Sequence, residues 1–208
     1  MTHRRPRRLM LGCKRAFDLV VAAILAVVTA PLMIAIAIAI AIGSPGAPVF
    51  VQTRAGKHGD PFRIYKFRSM VPRAEDGGPV LSMKDARVTR LGRFLRRTSL
   101  DELPQLFNVL RGDMSLVGPR PQLVSTTRPG EERRFDMRPG ITGLVEVSRA
   151  HLLSWDERMK LDIEYVDRWT FRLDLWILLK TIPLVFYRKD ILDLPRSPAD
   201  TAMPKELP

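Results

Sequence analysis

The sequence LVVAAILAVVTAPLMIAIAIAIAI, residues 19–42, is a run of 24 consecutive residues without a charge. A helix of about 20 residues spans a bilayer core of about 30 Å, so this run is long enough to cross a membrane once. It exceeds the roughly 7–15 apolar residues of a signal-peptide core, which argues against its removal. The run predicts a membrane-inserted helix over residues 16–43, preceded by a basic N-terminal segment, residues 1–15.

The flanks of this helix leave its orientation open, because basic residues stand on both sides. They are Arg4, Arg5, Arg7, Arg8, Lys14 and Arg15 before it, and Arg54, Lys57, Arg63, Lys66 and Arg68 after it. The positive-inside rule therefore favours neither direction. Pro31 lies near the middle, where it removes a backbone hydrogen bond and leaves two halves of about 12 residues, roughly 18 Å each. Two interpretations stay open: a re-entrant helix that breaks at Pro31 and returns to the same face, and a transmembrane helix that tolerates the proline.

Charge and composition narrow the class of protein. The net charge is +12, with 18 Lys/Arg against 5 Asp/Glu in the first 100 residues and 16 against 17 in the remainder. A basic N-terminal half predicts a phosphate-bearing partner, either nucleic acid or an anionic membrane. The single cysteine, Cys13, excludes an internal disulfide and matches no zinc-site spacing, which favours a reducing compartment. The scattered His3, His58 and His151 and the lack of a G-x-x-x-x-G-K-[ST] motif argue against a histidine metal site and a P-loop nucleotidase.

The remaining sequence predicts an α-rich α+β domain with a β-hairpin and amphipathic interfacial helices. The expected hairpin consists of Val49–Arg54 and Phe62–Phe67. The expected helices are a basic one over Asp85–Arg97, one from near Asp101 to Gly112, and one from a Ser154–Glu157 capping box to Trp169. An apolar helix over Phe171–Tyr187 would lie in the membrane interface or pack on the domain. Residues 71–84 are expected to form a loop, and the Pro-rich residues 191–208 a disordered tail.

Two adjacent carboxylates, Asp101 and Glu102, follow Arg96 and Arg97 at the start of one predicted helix. One interpretation is structural: Ser99 and Glu102 have capping-box spacing, and acidic residues complement the helix dipole. The other is functional, because a carboxylate kept ionised by arginines can attack phosphorus or hold a divalent cation. Both interpretations stay open on these residues alone.

Cations stand on either side of this pair in the sequence. Arg120 lies in the rigid G-P-R-P turn of residues 118–121, where a guanidinium can bind phosphate oxygens in a bidentate manner. Lys66 and Arg68 stand at the end of the predicted hairpin, either as a basic strand edge or as phosphate ligands. Together these residues predict a membrane-surface site for a diphosphate substrate and a phosphorylated lipid.

Six segments carry a family resemblance. They are K-R-x-F-D at 14–18, the apolar run with Pro31, P-V-F-V-Q-T-R-A-G at 48–56, Y-K-F-R-S-M at 65–70, S-L-D-E-L-P-Q-L-F-N-V-L-R-G-D-M-S-L-V-G-P-R-P at 99–121, and R-P-G-I-T-G-L at 138–144. With them the chain resembles the bacterial sugar transferases, small monotopic polyprenyl-phosphate phosphoglycosyl transferases that begin surface glycan assembly. The resemblance covers about residues 10–190.

The resemblance implies a reaction, a location and residue roles. A sugar 1-phosphate would pass from a nucleoside diphosphate sugar, usually a UDP-sugar, to undecaprenyl phosphate with release of UMP. Asp101 would be the nucleophile that forms a covalent phosphosugar intermediate with magnesium (Mg2+) bound nearby, and Glu102 would assist the second step as a base. The phosphate-binding residues would be Arg120, Arg96, Lys66 and Arg68. Residues 44–190 would form a cytoplasmic catalytic domain on the inner membrane, held by a re-entrant helix with its break at Pro31 and by anionic lipid, with a homodimer left open.

Two departures from the family pattern stand out. The hairpin break is often Ser-Pro in the family, whereas this chain has Ala30-Pro31 with Thr29 one residue earlier. Family members commonly continue A-Q-V-N-G-R after the R-P-G-I-T-G-L segment, and this chain has V-E-V-S-R-A at 145–150, which points to an unusual sugar if that region contacts it. Two other classes remain as alternatives: a membrane-surface scaffold without catalysis, and a nucleic-acid binder, which the apolar run disfavours.

Overall fold

The computed structural model describes residues 8–72, 74, 85–124, 130–148 and 153–187. In this part of the chain the helices are α1 (Arg8–Gly43), α2 (Arg90–Arg97), α3 (Gln105–Arg111), α4 (Leu144–Val147), α5 (Trp155–Arg168) and α6 (Phe171–Tyr187). The strands are β1 (Val49–Ala55), β2 (Pro61–Phe67), β3 (Ser115–Val117) and β4 (Gly140–Thr142). The predicted helix-rich fold with a long apolar N-terminal helix and a small hairpin is confirmed. Residues 1–7, most of the predicted loop 71–84, residues 149–152 and the predicted tail lie outside the described residues.

The apolar helix α1 begins at Arg8, earlier than residue 16, and is one helix through Pro31. Pro31 has no N–H for the Val27 carbonyl, four residues earlier, which therefore lacks its usual intrahelical donor. The nearby Thr29 hydroxyl donates to the Leu25 carbonyl, at 2.7 Å, and not to that of Val27. Because α1 is apolar and long, it is the helix in the described residues that length and composition would allow to cross a membrane.

One face of α1 packs on the rest of the protein along most of its length. Ala22 and Ala26 lie in a core cluster with residues of α3, β3, α5 and α6, and Ile36 and Ile40 lie in a second cluster with Phe67 and Leu95. These positions recur at helical spacing, as expected of a one-sided contact. The opposite face leaves large apolar side chains exposed: Val20, Ile24, Val27, Val28, Ile34, Ile38 and Ile42.

Buried polar contacts fix the N-terminal half of α1 to the domain. The Lys14 ammonium donates to Asp174 of α6 at 2.6 Å and to the Val117 carbonyl of β3 at 3.0 Å. One turn later, Asp18 accepts from the Ser115 hydroxyl at 2.7 Å. The K-R-x-F-D segment thus provides the polar side chains that dock α1, because charges buried to this extent must be paired.

The predicted hairpin is confirmed. Strands β1 and β2 pair antiparallel from Val49 opposite Phe67 to Ala55 opposite Pro61. At the turn end, the Ala55 N–H donates to the Gln122 carbonyl at 2.8 Å, so the hairpin supports the loop that carries Arg120.

The basic helix α2 begins at Arg90, so the predicted start at Asp85 is wrong. Thr89 caps the helix by accepting from the Gly92 N–H at 2.8 Å, and Val88 instead forms a bridge with Met70 after β2. At Gly92 the helix approaches the preceding loop so closely that an added Cβ would lie 1.9 Å from the Ser69 carbonyl oxygen. Only glycine allows α2 to pack here.

A second small sheet lies between α3 and α4. Strands β3 and β4 pair in parallel, with Ser115 opposite Gly140 and Val117 opposite Thr142. A Cβ at Gly140 would lie 2.1 Å from the Gly118 backbone nitrogen, so the G-P-R-P turn rests directly on the R-P-G-I-T-G segment.

The bounds of the two C-terminal helices agree with the sequence predictions. The predicted capping box opens α5, where Ser154 and Glu157 exchange hydrogen bonds. In α6, Ile177 is fully buried, whereas other apolar side chains are exposed: Leu175, Trp176, Leu179 and Ile182.

Candidate active site

The carboxylate pair lies on a tight turn between α2 and α3. Leu100–Glu102 forms a 3-10 turn, and the α-helix starts only at Gln105, after Pro104, so the predicted helix start near Asp101 is wrong. Ser99 has a left-handed backbone (φ 56°) and its side chain makes no cap bond, so the expected capping box with Glu102 is wrong. A left-handed serine is strained, and such strain often accompanies functional turns. Asp101 is only 8% exposed on this turn.

Lys66 reaches Glu102 from the neighbouring strand. Its Nζ lies 3.0 Å from Glu102 Oε1, and both side chains are mostly buried. Lys66 shares a face of β2 with the core residue Ile64, because side chains alternate along a strand. That face is turned toward the segment that carries the carboxylates.

Asn108 sets the position of α3 against β2. Its Oδ1 accepts from the Tyr65 N–H at 3.0 Å, and its Nδ2 donates to the Arg63 carbonyl at 2.6 Å. The side chain is fully buried. By hydrogen-bonding the backbone on both sides of Ile64, Asn108 holds the Lys66 strand in register with the Asp101 turn.

Arg96 and Arg68 have different surroundings. Arg96 Nε donates to the Ser69 hydroxyl at 2.8 Å. Burial lowers the pKa of Arg96, while the nearby carboxylates of Asp101 and Asp85 act to raise it. Arg68 instead donates to the carbonyl and hydroxyl of Ser44, at 2.8 and 2.9 Å. The structure therefore brings Arg96 to Asp101 and places the Arg68 guanidinium at the exit of α1.

Arg120 stands on its turn with its side chain half-exposed. Arg120 Nη1 lies 2.9 Å from Glu146 Oε1, and the exposed fractions of the two side chains are 48% and 19%. Burial acts to lower the pKa of Arg120, but the carboxylates of Glu146, Glu102 and Asp162 raise it and prevail. Arg120 therefore shares the electrostatic environment of Glu102.

A buried ion pair fixes the Arg120 backbone. Asp162 of α5 accepts from the Arg120 N–H at 3.2 Å, Arg134 Nη2 donates to the Arg120 carbonyl, and Arg134 and Asp162 pair with each other at 2.5 Å. Both side chains of the pair are 1% exposed. Burial raises the pKa of Asp162 to about 7, although the Arg134 charge opposes this rise.

Sequence reasoning missed four residues around Arg120: Arg54, Arg134, Glu146 and Asp162. Burial and the charge of Arg120 lower the pKa of Arg54 to about 10. Arg54 lies in the quoted segment 48–56 and Glu146 in the variant segment 145–150, so both carried a signal that was not used. Arg134 and Asp162 carried no such signal, because ion-pair partners 28 residues apart leave no local sequence pattern.

The carboxylate pair is also the place to consider magnesium. No cluster of three or more His, Cys, Asp or Glu side chains in the described residues could hold a metal ion. Mg2+ commonly binds through only one or two carboxylates and completes its shell with water and substrate phosphates. Asp101, with Glu102 beside it, fits an ion that binds together with a diphosphate.

This arrangement suits phosphoryl chemistry. A buried carboxylate lies beside one guanidinium, and a second carboxylate pairs with an ammonium within the field of Arg120. Cations so placed can stabilise the charge on a transferring phosphoryl group, and a carboxylate can serve as its nucleophile.

Comparison with known proteins gives a consistent family. The family model described as "Bacterial sugar transferase" matches residues 9–188. The chain is 43% identical over 182 residues to the uncharacterized sugar transferase EpsL of Bacillus subtilis, covering 86% of this chain and 89% of that protein.

Two relatives have names that state a reaction. The chain is 46% identical over 185 residues to the UDP-glucose:undecaprenyl-phosphate glucose-1-phosphate transferase of Caulobacter vibrioides, covering 82% of this chain and 68% of that protein. It is 41% identical over 179 residues to the UDP-N-acetylgalactosamine-undecaprenyl-phosphate N-acetylgalactosaminephosphotransferase of Aeromonas hydrophila, covering 81% of this chain and 42% of that longer protein.

Proposed function

The chain belongs to the bacterial sugar transferase family, and we propose that it transfers a sugar 1-phosphate from a nucleoside diphosphate sugar to undecaprenyl phosphate. With a UDP-sugar as donor, the released product is UMP. The relatives named for glucose 1-phosphate and N-acetylgalactosamine phosphate transfer support this class of reaction. Because their sugars differ, the donor sugar of this chain is left to experiment. The reaction would be the initiating step of surface glycan assembly.

The observation that carries the proposal is the carboxylate pair on one turn. Asp101 is buried beside Arg96, and Glu102 pairs with Lys66 of β2. In the first step a carboxylate oxygen of Asp101 attacks the phosphorus that bears the sugar. The bond from this phosphorus to the bridging oxygen breaks, and UMP leaves with that oxygen. Arg96, Lys66 and Arg120 hold the phosphate oxygens, and Mg2+, when bound, would supply further positive charge there.

In the second step undecaprenyl phosphate replaces the leaving nucleotide. One of its oxygens attacks the same phosphorus, the bond to the Asp101 oxygen breaks, and the carboxylate is restored. Glu102 takes the acceptor's proton where the phosphate is protonated. Two displacements at one phosphorus let the large substrates use the site in turn, which predicts ping-pong kinetics.

We also propose that α1 is monotopic and enters and leaves the membrane on the cytoplasmic face of the inner membrane. Lys14, near its start, contacts Asp174 of the domain, and Ile40, near its end, packs with Phe67 and Leu95 of the same domain. If α1 crossed a bilayer, its two ends would lie on opposite sides, and a domain outside the bilayer could not contact both. The exposed apolar face of α1 would contact lipid.

The same proposal gives α2 a membrane role. Arg90, Phe94 and Arg97 are exposed on one face of α2, at spacings of four and three residues. Basic residues with an aromatic side chain are typical of helices that lie on anionic lipid. Anionic inner-membrane lipid is therefore the expected surface partner, and nucleic acid is not expected.

The test is UMP release from a panel of UDP-sugars by protein in nanodiscs with undecaprenyl phosphate and magnesium. We expect release with at least one sugar and its loss in Asp101→Asn. The matched control is Asp167→Asn on α5, which makes the same change in a carboxylate that pairs with Arg133. Release undiminished in Asp101→Asn contradicts the covalent mechanism. Folded protein without release from any nucleotide sugar supports the scaffold alternative.

A further inference from the structure

Arg120 is held separately at its backbone and at its side chain. The buried Arg134–Asp162 pair contacts both the N–H and the carbonyl of Arg120. The guanidinium, by contrast, contacts Glu146 at the surface of the site. The turn therefore has its shape without Glu146, and the Arg120–Glu146 contact can open while the backbone stays in place.

Glu146 occupies the kind of position that a phosphate would take. A guanidinium presents its donors in a fixed fork that fits a carboxylate or a phosphate equally in geometry. Glu146 lies on the short helix α4 and its side chain is 19% exposed, whereas 48% of the Arg120 side chain is still accessible. An incoming anion can thus reach Arg120 from the open side.

The charge around Arg120 opposes a second anion. Three carboxylates act on the guanidinium, those of Glu146, Glu102 and Asp162. A diphosphate that binds Arg120 while Glu146 remains paired would meet uncompensated negative charge. Exchange of partners removes this conflict, because the diphosphate takes the donors that Glu146 releases.

We propose that Glu146 is an internal anion that occupies Arg120 until the donor diphosphate displaces it, and that Glu146 thereby sets the affinity for the donor. This inference rests on the proposed function, since it assigns Arg120 to the diphosphate. A partly exposed ion pair contributes up to about 1 kcal/mol, which corresponds to about a fivefold change in affinity. Replacing Glu146 with Gln keeps the shape and removes the charge.

The experiment is titration calorimetry with UDP and magnesium on the full chain in nanodiscs, in four variants and wild type. We expect Glu146→Gln to bind UDP about fivefold more tightly than wild type. In an Arg120→Gln background, the added Glu146→Gln change is expected to leave UDP affinity nearly unaltered, because no guanidinium remains to be released. Asp167→Asn, which removes a charge from the Arg133 pair, controls for net charge.

Three outcomes overturn the inference. The first is unchanged or weaker UDP binding by Glu146→Gln. The second is an equal gain in UDP affinity when Glu146→Gln is added to the Arg120→Gln background, which would show a general effect of charge. The third is the absence of UDP binding by both wild type and Glu146→Gln. Sugar transfer with unaltered UDP affinity in Glu146→Gln refutes this inference alone, whereas the predicted affinity pattern without any sugar transfer refutes the proposed function.

Discussion

Asp101 and Glu102 are neighbours in sequence with different surroundings. Asp101 is 8% exposed and lies near Arg96, whereas Glu102 pairs with Lys66 at 3.0 Å. Side chains of adjacent residues on a tight turn point in different directions, so one can meet the donor phosphorus while the other meets the acceptor. The two half-reactions are therefore expected to respond differently to substitution.

The first prediction concerns Glu102→Gln. We expect UMP release in the first turnover to stay near the wild-type level, because Asp101 is intact, while multiple turnover falls by about 10²-fold or more, as for loss of a general base. Rapid-quench measurement of the UMP burst and the steady state separates the two. The control is Glu164→Gln, which changes a carboxylate that pairs with the exposed Arg168. Equal loss of burst and turnover would contradict the assignment of Glu102 to the second step.

The second prediction concerns the pH dependence of stability through Asp162. Burial raises the pKa of Asp162 to about 7 in the folded protein, from about 3.9 when unfolded. The folded state thus holds a proton that the unfolded state has lost, so this group's contribution is complete below about pH 3.9 and is lost as pH rises through about 7. Wild type should therefore lose stability relative to Asp162→Asn between pH 5 and pH 8.

Thermal unfolding in detergent at several pH values measures this difference. Asp167→Asn should show no such pH-dependent difference from wild type. A stability difference between wild type and Asp162→Asn that is constant, or that grows with pH, would show that Asp162 is ionised at low pH.

For individual residues, the sequence predicted the residue types of the site better than their contact partners. Lys66 and Arg96 were expected near the carboxylates, and the structure places them there. The contacts of Arg120 with Asp162, Arg134 and Glu146 join residues 14 to 42 positions apart, so no local spacing could indicate them.

Among the elements, the junction of β2 and α3 determines how the site is assembled. Asn108 is buried and hydrogen-bonds the Arg63 carbonyl and the Tyr65 N–H. Asn108→Leu would leave both backbone groups without their side-chain partner. Loss of such a partner costs about 1–3 kcal/mol for each buried group.

The third prediction is that Asn108→Leu lowers the melting temperature and also sugar transfer, because the Lys66 strand shifts against the Asp101 turn. Thermal unfolding and UMP release measure the two effects. Thr53→Ala, on the exposed face of β1, should leave both unchanged. Wild-type stability in Asn108→Leu would show that other contacts hold the two elements together.

Local signals predicted the elements where chain-local forces decide them. The hairpin, the end of α3 at Gly112 and the capping box of α5 agree with expectation. The start of α2 differs from the prediction, because Val88 pairs with Met70 and Thr89 is the N-cap residue. The parallel pairing of β3 with β4 was not predicted, since it joins segments about 25 residues apart.

For the molecule as a whole, the packing of α1 decides how the protein meets the membrane. Residues of α1 from Lys14 to Ile40 contact one domain, while the other face of α1 is apolar and exposed. Composition predicted a membrane helix but could not choose between a helix that crosses the membrane and one that returns to the same face. The distribution of contacts along α1 favours return.

The fourth prediction tests this topology with Cys13, the single cysteine of the chain, which is exposed. Cys13, and a cysteine at position 47 in a Cys13→Ser, Ala47→Cys variant, should react with a membrane-impermeant maleimide from the same side. We expect labelling of both in inside-out vesicles and of neither in right-side-out vesicles. Labelling in detergent confirms that each thiol is reactive, and labelling from opposite sides would show that α1 crosses the membrane.

The proposed covalent intermediate is the central step of the proposed reaction, and mass spectrometry of the intact protein and of its peptides measures it directly. Protein incubated with magnesium and the active UDP-sugar, without undecaprenyl phosphate, should gain the mass of one sugar phosphate on the peptide that contains Asp101. The adduct should disappear when undecaprenyl phosphate is added and should be absent in Asp101→Asn. An active enzyme without an adduct under rapid quenching, or an adduct that persists in Asp101→Asn, would contradict the account.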